Sequence, residues 1–159
     1  MPSSTDAVAA QVQRLIDIEE IKALKYRYIR LVDAHRFDEW GESCFTPDCH
    51  LSTNDLGTWT GRDQIIAAVR RSYGSAKTIH QVHMPEITFT GADTATGIWA
   101  LSDYATWIAD GERIIDWGRG HYKDNYRRTS EGWRISSTVL VRECLPAPNR
   151  CVSTAGKPE

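Results

Sequence analysis

The sequence has few of the features that mark membrane, nucleic-acid-binding or disulfide-stabilised proteins. It contains 159 residues, four cysteines and a formal net charge of −2. No stretch approaches the roughly 20 apolar residues of a membrane helix, and the opening residues have neither the basic start nor the apolar run of a secretory signal. No basic block suggests a nucleic-acid or membrane surface. We therefore expect a cytoplasmic protein with no nucleic-acid or membrane partner.

Motifs for cofactors and metals are also absent from the sequence. There is no GxGxxG or GxxxxGK loop, no GxSxG elbow and no HExxH helix. The cysteines show neither a CxxC pair nor the dense spacing of a disulfide scaffold, so we interpret them as reduced thiols. The sequence thus predicts a site that uses no cofactor and no metal.

The composition is that of one globular domain, with 41% hydrophobic and 25% charged residues. Residues 1–7 and 146–159 are rich in Ser, Thr, Pro, Gly and Ala and have little to bury. We expect them to be flexible tails on either side of a single domain over residues 8–145.

Hydrophobic spacing predicts three helices in the first half of the chain. Apolar residues from Val12 to Leu31 recur at steps of three and four, which is typical of an amphipathic helix over residues 8–32. Shorter helices are predicted at 38–44 and at 61–73, and "FTPDCH" is interpreted as a turn between them that leads into an extended segment.

The second half is rich in β-branched and aromatic residues separated by turn sequences. It predicts four strands, at 78–90, 94–109, 113–128 and 132–144. Helices followed by consecutive strands indicate an α+β fold, in which a curved antiparallel sheet wraps around the N-terminal helices and leaves an internal cavity.

One acid is unexpected in this pattern. With period two, Asp103 shares a strand face with Trp99, Leu101, Ala105 and Trp107. A lone ionised carboxylate among apolar side chains is costly, so Asp103 must be paired, hydrogen-bonded or protonated. One interpretation is structural: Asp103 forms an ion pair or lies at a solvated cavity mouth. The other is that Asp103 is a catalytic acid that orients a histidine.

His80 is the predicted partner of Asp103, because its strand directly precedes the Asp103 strand and neighbouring strands bring side chains into contact. His83 points to the opposite face, so "HQVH" is a poor metal chelate. A histidine oriented by a carboxylate suits a general base. The alternative is a packed histidine with satisfied nitrogens.

Other polar and aromatic residues are candidates for the same cavity. Tyr28 lies on the apolar side of the first helix, and Asp33 can face the same cavity only if the helix ends or bends nearby. Arg142 either pairs with Asp33, binds substrate or lies on the surface. We count Arg142 among the substrate-binding candidates, together with Trp99, Trp107 and His121, although both faces of the His121 strand are mixed.

The segments "IEEIKALKYRYIRLVDAHRFDEW", "CFTPDC", "TIHQVHMPEITF", "TATGIWALSDYATW", "GHYKDNYRR" and "GWRISSTVLVR" together resemble the SnoaL-like branch of the nuclear transport factor 2-like (NTF2-like) superfamily. The resemblance covers about residues 10–143, and within the branch the pattern is closest to the bile acid 7α-dehydratases and more distantly similar to the scytalone dehydratases. It implies a cone-shaped α+β barrel and a homodimer or homotrimer. The loop at 51–60 and "RIIDWGRGH" depart from the steroid enzymes, so substrate identity does not transfer.

The resemblance also implies a function and a set of site residues. Tyr28, Asp33, His80 and Asp103 match catalytic positions and Arg142 an anchoring position. We expect a lyase or isomerase of dehydratase type in which His80 removes a proton from a hydrophobic, cyclic carbonyl compound, Asp103 orients His80, Tyr28 stabilises the oxyanion or departing hydroxyl, and Asp33 donates a proton. The alternatives are a polyketide-type aldol cyclase and a non-catalytic binding or assembly domain.

Overall fold

The computed structural model describes residues 4–54 and 56–144. Within these residues the chain forms three helices and seven strands. In chain order they are α1 (Ser4–Asp33), α2 (Phe37–Cys44), β1 (Phe45–Thr53), β2 (Gly57–Thr60), α3 (Arg62–Tyr73), β3 (Lys77–Val82), β4 (Glu86–Phe89), β5 (Thr94–Ala109), β6 (Glu112–Thr129) and β7 (Gly132–Cys144).

The predicted α+β class is confirmed: the N-terminal helices pack against a curved sheet. The strand order is β2-β1-β7-β6-β5-β3, with β4 also paired to β5, so the sheet stays open rather than closing into a barrel. All pairs are antiparallel except β1 with β7, which run parallel. No helix among the described residues is long and apolar enough to span a membrane.

Three element predictions need correction. The segment "FTPDCH", interpreted as a turn, is the start of β1, because β1 follows α2 directly and pairs with β7. The predicted strand 78–90 is two strands, since Pro85 has no N–H to donate and pairing with β5 resumes out of phase after it. Helix α1 begins at Ser4, so residues predicted as a flexible tail are helical; Ser, Thr and Asp favour helix starts. The other predicted tail, 146–159, lies outside the described residues.

Helix α1 positions the site through the point where it ends. Its inward face buries Ile21, Leu24, Tyr28 and Leu31 at the predicted spacing of three and four residues. The helix stops at Asp33 and the backbone reverses at residues 34–36, where His35 adopts a φ of 56°. The end of the helix therefore brings the Asp33 carboxylate to the edge of the sheet.

The inward face of β5 follows the predicted alternation. Trp99, Leu101, Asp103 and Ala105 are buried, whereas Tyr104 between them is exposed on the outer face. His80 is the Cα partner of Asp103 across the β3–β5 pair, which confirms that the two residues are neighbours in the sheet.

A buried ion pair links α1 to β6 in the core. The Lys25 Nζ lies 2.9 Å from the Asp124 Oδ2, and both side chains are fully buried. Asp124 also accepts hydrogen bonds from the Tyr126 and Thr138 hydroxyls, at 2.7 Å and 2.6 Å. Burial lowers the pKa of Lys25, against the opposing effect of Asp124. The ammonium also lies 3.5 Å from the centre of the Tyr122 ring, a cation–π contact.

Replacing Lys25 should strongly destabilise the fold. The Lys25→Met variant leaves the Asp124 charge buried without its partner, and we expect it to lower the free energy of unfolding by about 3–5 kcal/mol. Chemical denaturation measures the loss. The control is Lys22→Met, whose ammonium pairs with Glu19 on the surface and which should leave stability nearly unchanged. Equal stability of the two variants would contradict a structural role for the Lys25 pair.

Candidate active site

An apolar cavity lies between the helices and the inner face of the sheet. We call it the inner chamber; its volume is about 40 Å³, and its wall includes Tyr28, Trp40, Val69, His80, Tyr122 and Leu140. A second cavity of about 320 Å³, the outer chamber, shares Leu56, Ser72 and Tyr73 with it and is also lined by Trp107, Asp116 and Arg142. The chambers adjoin, and the inner one has room for only a small chemical group.

The Asp33 carboxylate holds His80 at the wall of the inner chamber. Asp33 Oδ1 lies 2.6 Å from His80 Nδ1, and Oδ2 accepts the His80 backbone N–H at 2.9 Å. The Thr78 hydroxyl donates a further hydrogen bond of 2.9 Å to Oδ1. All three contacts join the last residue of α1 to β3. One carboxylate therefore fixes both the backbone and the ring of His80.

The pKa of Asp33 decides which ring nitrogen carries the proton. Partial burial raises this pKa, but the hydrogen bonds and charge of His80 and the bond from Thr78 outweigh burial and lower it overall. Asp33 is thus ionised near neutral pH and can only accept hydrogen bonds. In the neutral imidazole Nδ1 must then carry the hydrogen, which leaves the lone pair on Nε2.

The predicted pairing of His80 with Asp103 is wrong, although the two residues face each other in the sheet. Arg142 binds Asp103 instead: its Nε lies 3.1 Å and 3.0 Å from the two carboxylate oxygens, and its Nη2 lies 2.8 Å from Oδ1. The guanidinium reaches Asp103 across Gly118 on β6, where a Cβ would overlap it. Asp103 therefore forms a structural ion pair with Arg142, which was the alternative to a catalytic acid in the sequence analysis.

Arg142 does not pair with Asp33, which was one of its predicted partners. Besides Asp103, its Nη2 contacts Asp116 Oδ2 at 3.1 Å. The Arg142 side chain is buried, whereas the Asp116 side chain is 37% exposed at the outer chamber. Arg142 lines that chamber, and among the described residues the carboxylates of Asp103 and Asp116 contact its guanidinium. Its predicted contact with substrate stays a prediction.

Two tyrosines stand together in the wall of the inner chamber. The rings of Tyr28 and Tyr122 are in edge-to-face contact with their centres 5.9 Å apart, and Lys25 lies over both. Burial raises the pKa of each phenol well above its usual range. Both remain neutral hydrogen-bond donors at any pH the protein meets. Tyr122 was missed by the sequence analysis; its signal is the period-two run of Tyr122, Asp124 and Tyr126 on β6.

The remaining predicted substrate contacts have different outcomes. Trp107 lines the outer chamber, as predicted. Trp99 is fully buried in the core and donates its indole N–H to Tyr126 Oη at 2.8 Å, so its predicted substrate contact is wrong. His121 is also wrong: it is exposed on the outer face of β6, because the alternation that turns Tyr122 inward turns His121 outward.

No group of three or more His, Cys, Asp or Glu side chains among residues 4–54 and 56–144 is arranged to hold a metal ion. The side chains that line the inner chamber carry an imidazole, hydroxyls and indole N–H groups. The chemistry that these groups offer is proton transfer and hydrogen-bond donation.

The fold and the site define a cone-shaped α+β domain of the NTF2-like class with a histidine at an internal cavity. Residues 13–139 match the SnoaL-like domain family, so the chain belongs to that family.

Solved structures support the fold. A protein from Kribbella flavida is 24% identical with a TM-score of 0.73, covering 82% of this chain and 93% of its own. A scytalone dehydratase-like protein from Novosphingobium aromaticivorans is 18% identical with a TM-score of 0.74, covering 94% and 99%. The hexachlorocyclohexane dehydrochlorinase LinA-type3 from Novosphingobium barchaimii is 18% identical with a TM-score of 0.71, covering 86% and 95%. The closer resemblance to bile acid 7α-dehydratases stays a prediction.

The effects of Asp33 and Asp103 on the His80 ring should be distinguishable by NMR in solution. Asp33→Asn replaces one acceptor oxygen with an NH₂ donor, so the side chain can no longer accept from both the ring Nδ1–H and the backbone N–H of His80. The ¹⁵N chemical shifts of the His80 ring should therefore move toward a mixture of tautomers. Asp103→Asn is the matched control and should leave those shifts in place, because Asp103 contacts Arg142. Shifts that respond to Asp103→Asn and not to Asp33→Asn would contradict the assignment.

Proposed function

We propose that the protein is a cofactor-independent lyase or isomerase in which His80 is the general base. The observation that carries the proposal is the Asp33–His80 pair at the wall of an apolar cavity. A histidine whose Nδ1–H is bound by a carboxylate presents the basic Nε2 in a fixed orientation. The family supports this class, since its structural neighbours include a dehydrochlorinase and a scytalone dehydratase-like protein.

In the proposed reaction, His80 Nε2 takes a proton from a carbon next to a carbonyl group. The electron pair of the C–H bond moves into a carbon–carbon double bond, and the carbonyl oxygen gains negative charge. Asp33 stabilises the imidazolium that forms, without itself accepting the proton. In the elimination, the bond between the adjacent carbon and its hydroxyl group breaks, and His80 returns the proton so that the group leaves as water. In the isomerisation, the enolate is instead reprotonated at another carbon.

Tyr28 and Tyr122 are proposed to stabilise the charge that develops on the carbonyl oxygen. Their phenols stay neutral because burial raises their pKa values, so they can donate a hydrogen bond to an oxyanion. Asp33 is reassigned by this scheme: a carboxylate whose pKa is lowered is a poor proton donor, so it orients His80. Asp103 orients Arg142 rather than His80.

The substrate proposed for this site is a hydrophobic, cyclic carbonyl compound. Apolar side chains dominate the inner chamber wall, among them Val32, Leu51, Val69 and Leu140. An apolar wall with a few polar groups is typical of small-molecule sites. The inner chamber receives the edge of a ring that carries the reacting carbon.

A homodimer or homotrimer is proposed as the working form, assembled through the outer face of the sheet. Tyr104 and Trp117 stack there with ring centres 5.6 Å apart, and Ile79 and Val141 are exposed on the same face. Exposed apolar patches of this kind mark interaction surfaces.

The proposed location is the cytoplasm, where the free, buried thiols of Cys44 and Cys49 remain reduced.

Proton exchange tests the proposed base without knowledge of the natural substrate. The wild-type protein in D₂O should accelerate deuterium uptake next to the carbonyl of at least one of 1-indanone, 1-tetralone and a 3-keto steroid, as read by mass spectrometry. His80→Ala should reduce that rate by about 10²- to 10⁴-fold, because the base is removed. His83→Ala removes an exposed histidine just beyond the end of β3 that lines neither chamber, and it should retain the wild-type rate.

Circular dichroism establishes that each variant is folded before rates are compared. Wild-type exchange that survives in folded His80→Ala, or the absence of acceleration for all three ketones, would contradict the proposed function.

A further inference from the structure

The outer chamber differs from the inner one in size and in charge. It is several times larger, about 320 Å³ against about 40 Å³, and the two share Leu56, Ser72 and Tyr73 in their walls. A ligand whose reacting edge enters the inner chamber must therefore leave most of its bulk in the outer one.

Among residues 4–54 and 56–144, the charged groups in and directly behind the wall of the outer chamber do not balance. Arg142 supplies one positive charge, and Asp103 and Asp116 each supply a negative charge bound to it. Asp103 lies behind the arginine and is buried, whereas the Asp116 carboxylate is partly exposed to the chamber. Of the two acids, Asp116 is therefore the one that a ligand meets.

Arg142 is a weak anchor for an anion in this arrangement. Both oxygens of Asp103 lie within 3.1 Å of its Nε, and its Nη2 contacts both Asp103 and Asp116. A ligand carboxylate that binds Arg142 would also lie close to Asp116, and the two negative charges would repel each other in a partly desolvated site. Lys77 and Arg113 line a neighbouring cleft that shares Trp107, and neither is in the wall of the outer chamber.

We infer that the outer chamber is a specificity site that binds the distal end of the ligand through Asp116 and selects a hydroxyl or amine there over a carboxylate. A hydroxyl or ammonium donates a hydrogen bond to the Asp116 carboxylate, whereas an anion is repelled by it. The inference rests on the proposed function only in placing the reacting end of the ligand in the inner chamber. It narrows the substrate to neutral or cationic compounds with a donor group remote from the reacting carbon.

Three ligands that share one bicyclic body test this selectivity: 2-indanol, 2-aminoindane and indane-2-carboxylate. Dissociation constants are measured at pH 7.5 and low salt by ligand-observed NMR. We expect the alcohol and the amine to bind at least about tenfold more tightly than the carboxylate. Asp116→Asn, which keeps shape and removes the charge, should reduce that preference severalfold.

The matched control is Asp110→Asn, which removes the same charge from the exposed β5–β6 turn. Its φ of 52° is one that asparagine tolerates, so this variant should keep the wild-type preference. The His80→Ala protein should also keep the preference, which separates failure of this inference from failure of the proposed catalysis. Equal or tighter binding of the carboxylate, an unchanged preference in Asp116→Asn, or no binding of any of the three ligands at millimolar concentration would overturn the inference.

Discussion

The contact between the end of helix α1 and the edge strand β3 is the interaction on which the site depends. Asp33 makes it by binding the ring and the backbone of His80 together, with Thr78 as a third partner. Asp33 is the last residue of α1, and the chain reverses directly after it, so its carboxylate stands at the end of the helix beside β3. It joins the helical layer to the sheet at the wall of the inner chamber.

Two further ion pairs place charge inside the cone without exposing it to the reacting group. Lys25 and Asp124 form one of them in the core behind the tyrosines, and Arg142 and Asp103 form the other beside the outer chamber. Buried pairs of this kind contribute little net stability, but each leaves a costly charge when one partner is lost. They hold the sheet and the first helix in register around an otherwise apolar cavity.

Much of the fold follows from patterns that are local in sequence. The helix spacing of α1 from Ile21 to Leu31 and the alternation on β5 depend on burial of one face, and both could be predicted from the sequence. Val12 and Leu15 follow the same spacing in the first half of α1 but are exposed. Even the neighbourhood of His80 and Asp103 was correct, because consecutive strands with a short connection pair. The start of β1 was predicted as a turn that leads into an extended segment, because the pairing of β1 with β7 joins segments about 90 residues apart in the chain.

The partners of the site residues could not be predicted in the same way. Whether Asp103 binds His80 or Arg142 depends on Gly118, which leaves space for the guanidinium on the strand between them. Asp33 contacts His80 from the last residue of α1. The residue at which a helix ends is the part of a helix that a sequence pattern predicts least well. Competition between neighbours on the same sheet face is a property of the packed structure.

In the proposed mechanism Asp33, and not Asp103, makes His80 a base. The most direct test compares the rate of deuterium uptake by the best ketone substrate in Asp33→Asn and in Asp103→Asn. We expect a loss of about 10²-fold or more in Asp33→Asn and a far smaller change in folded Asp103→Asn. A large loss in Asp103→Asn with near wild-type exchange in Asp33→Asn would contradict it.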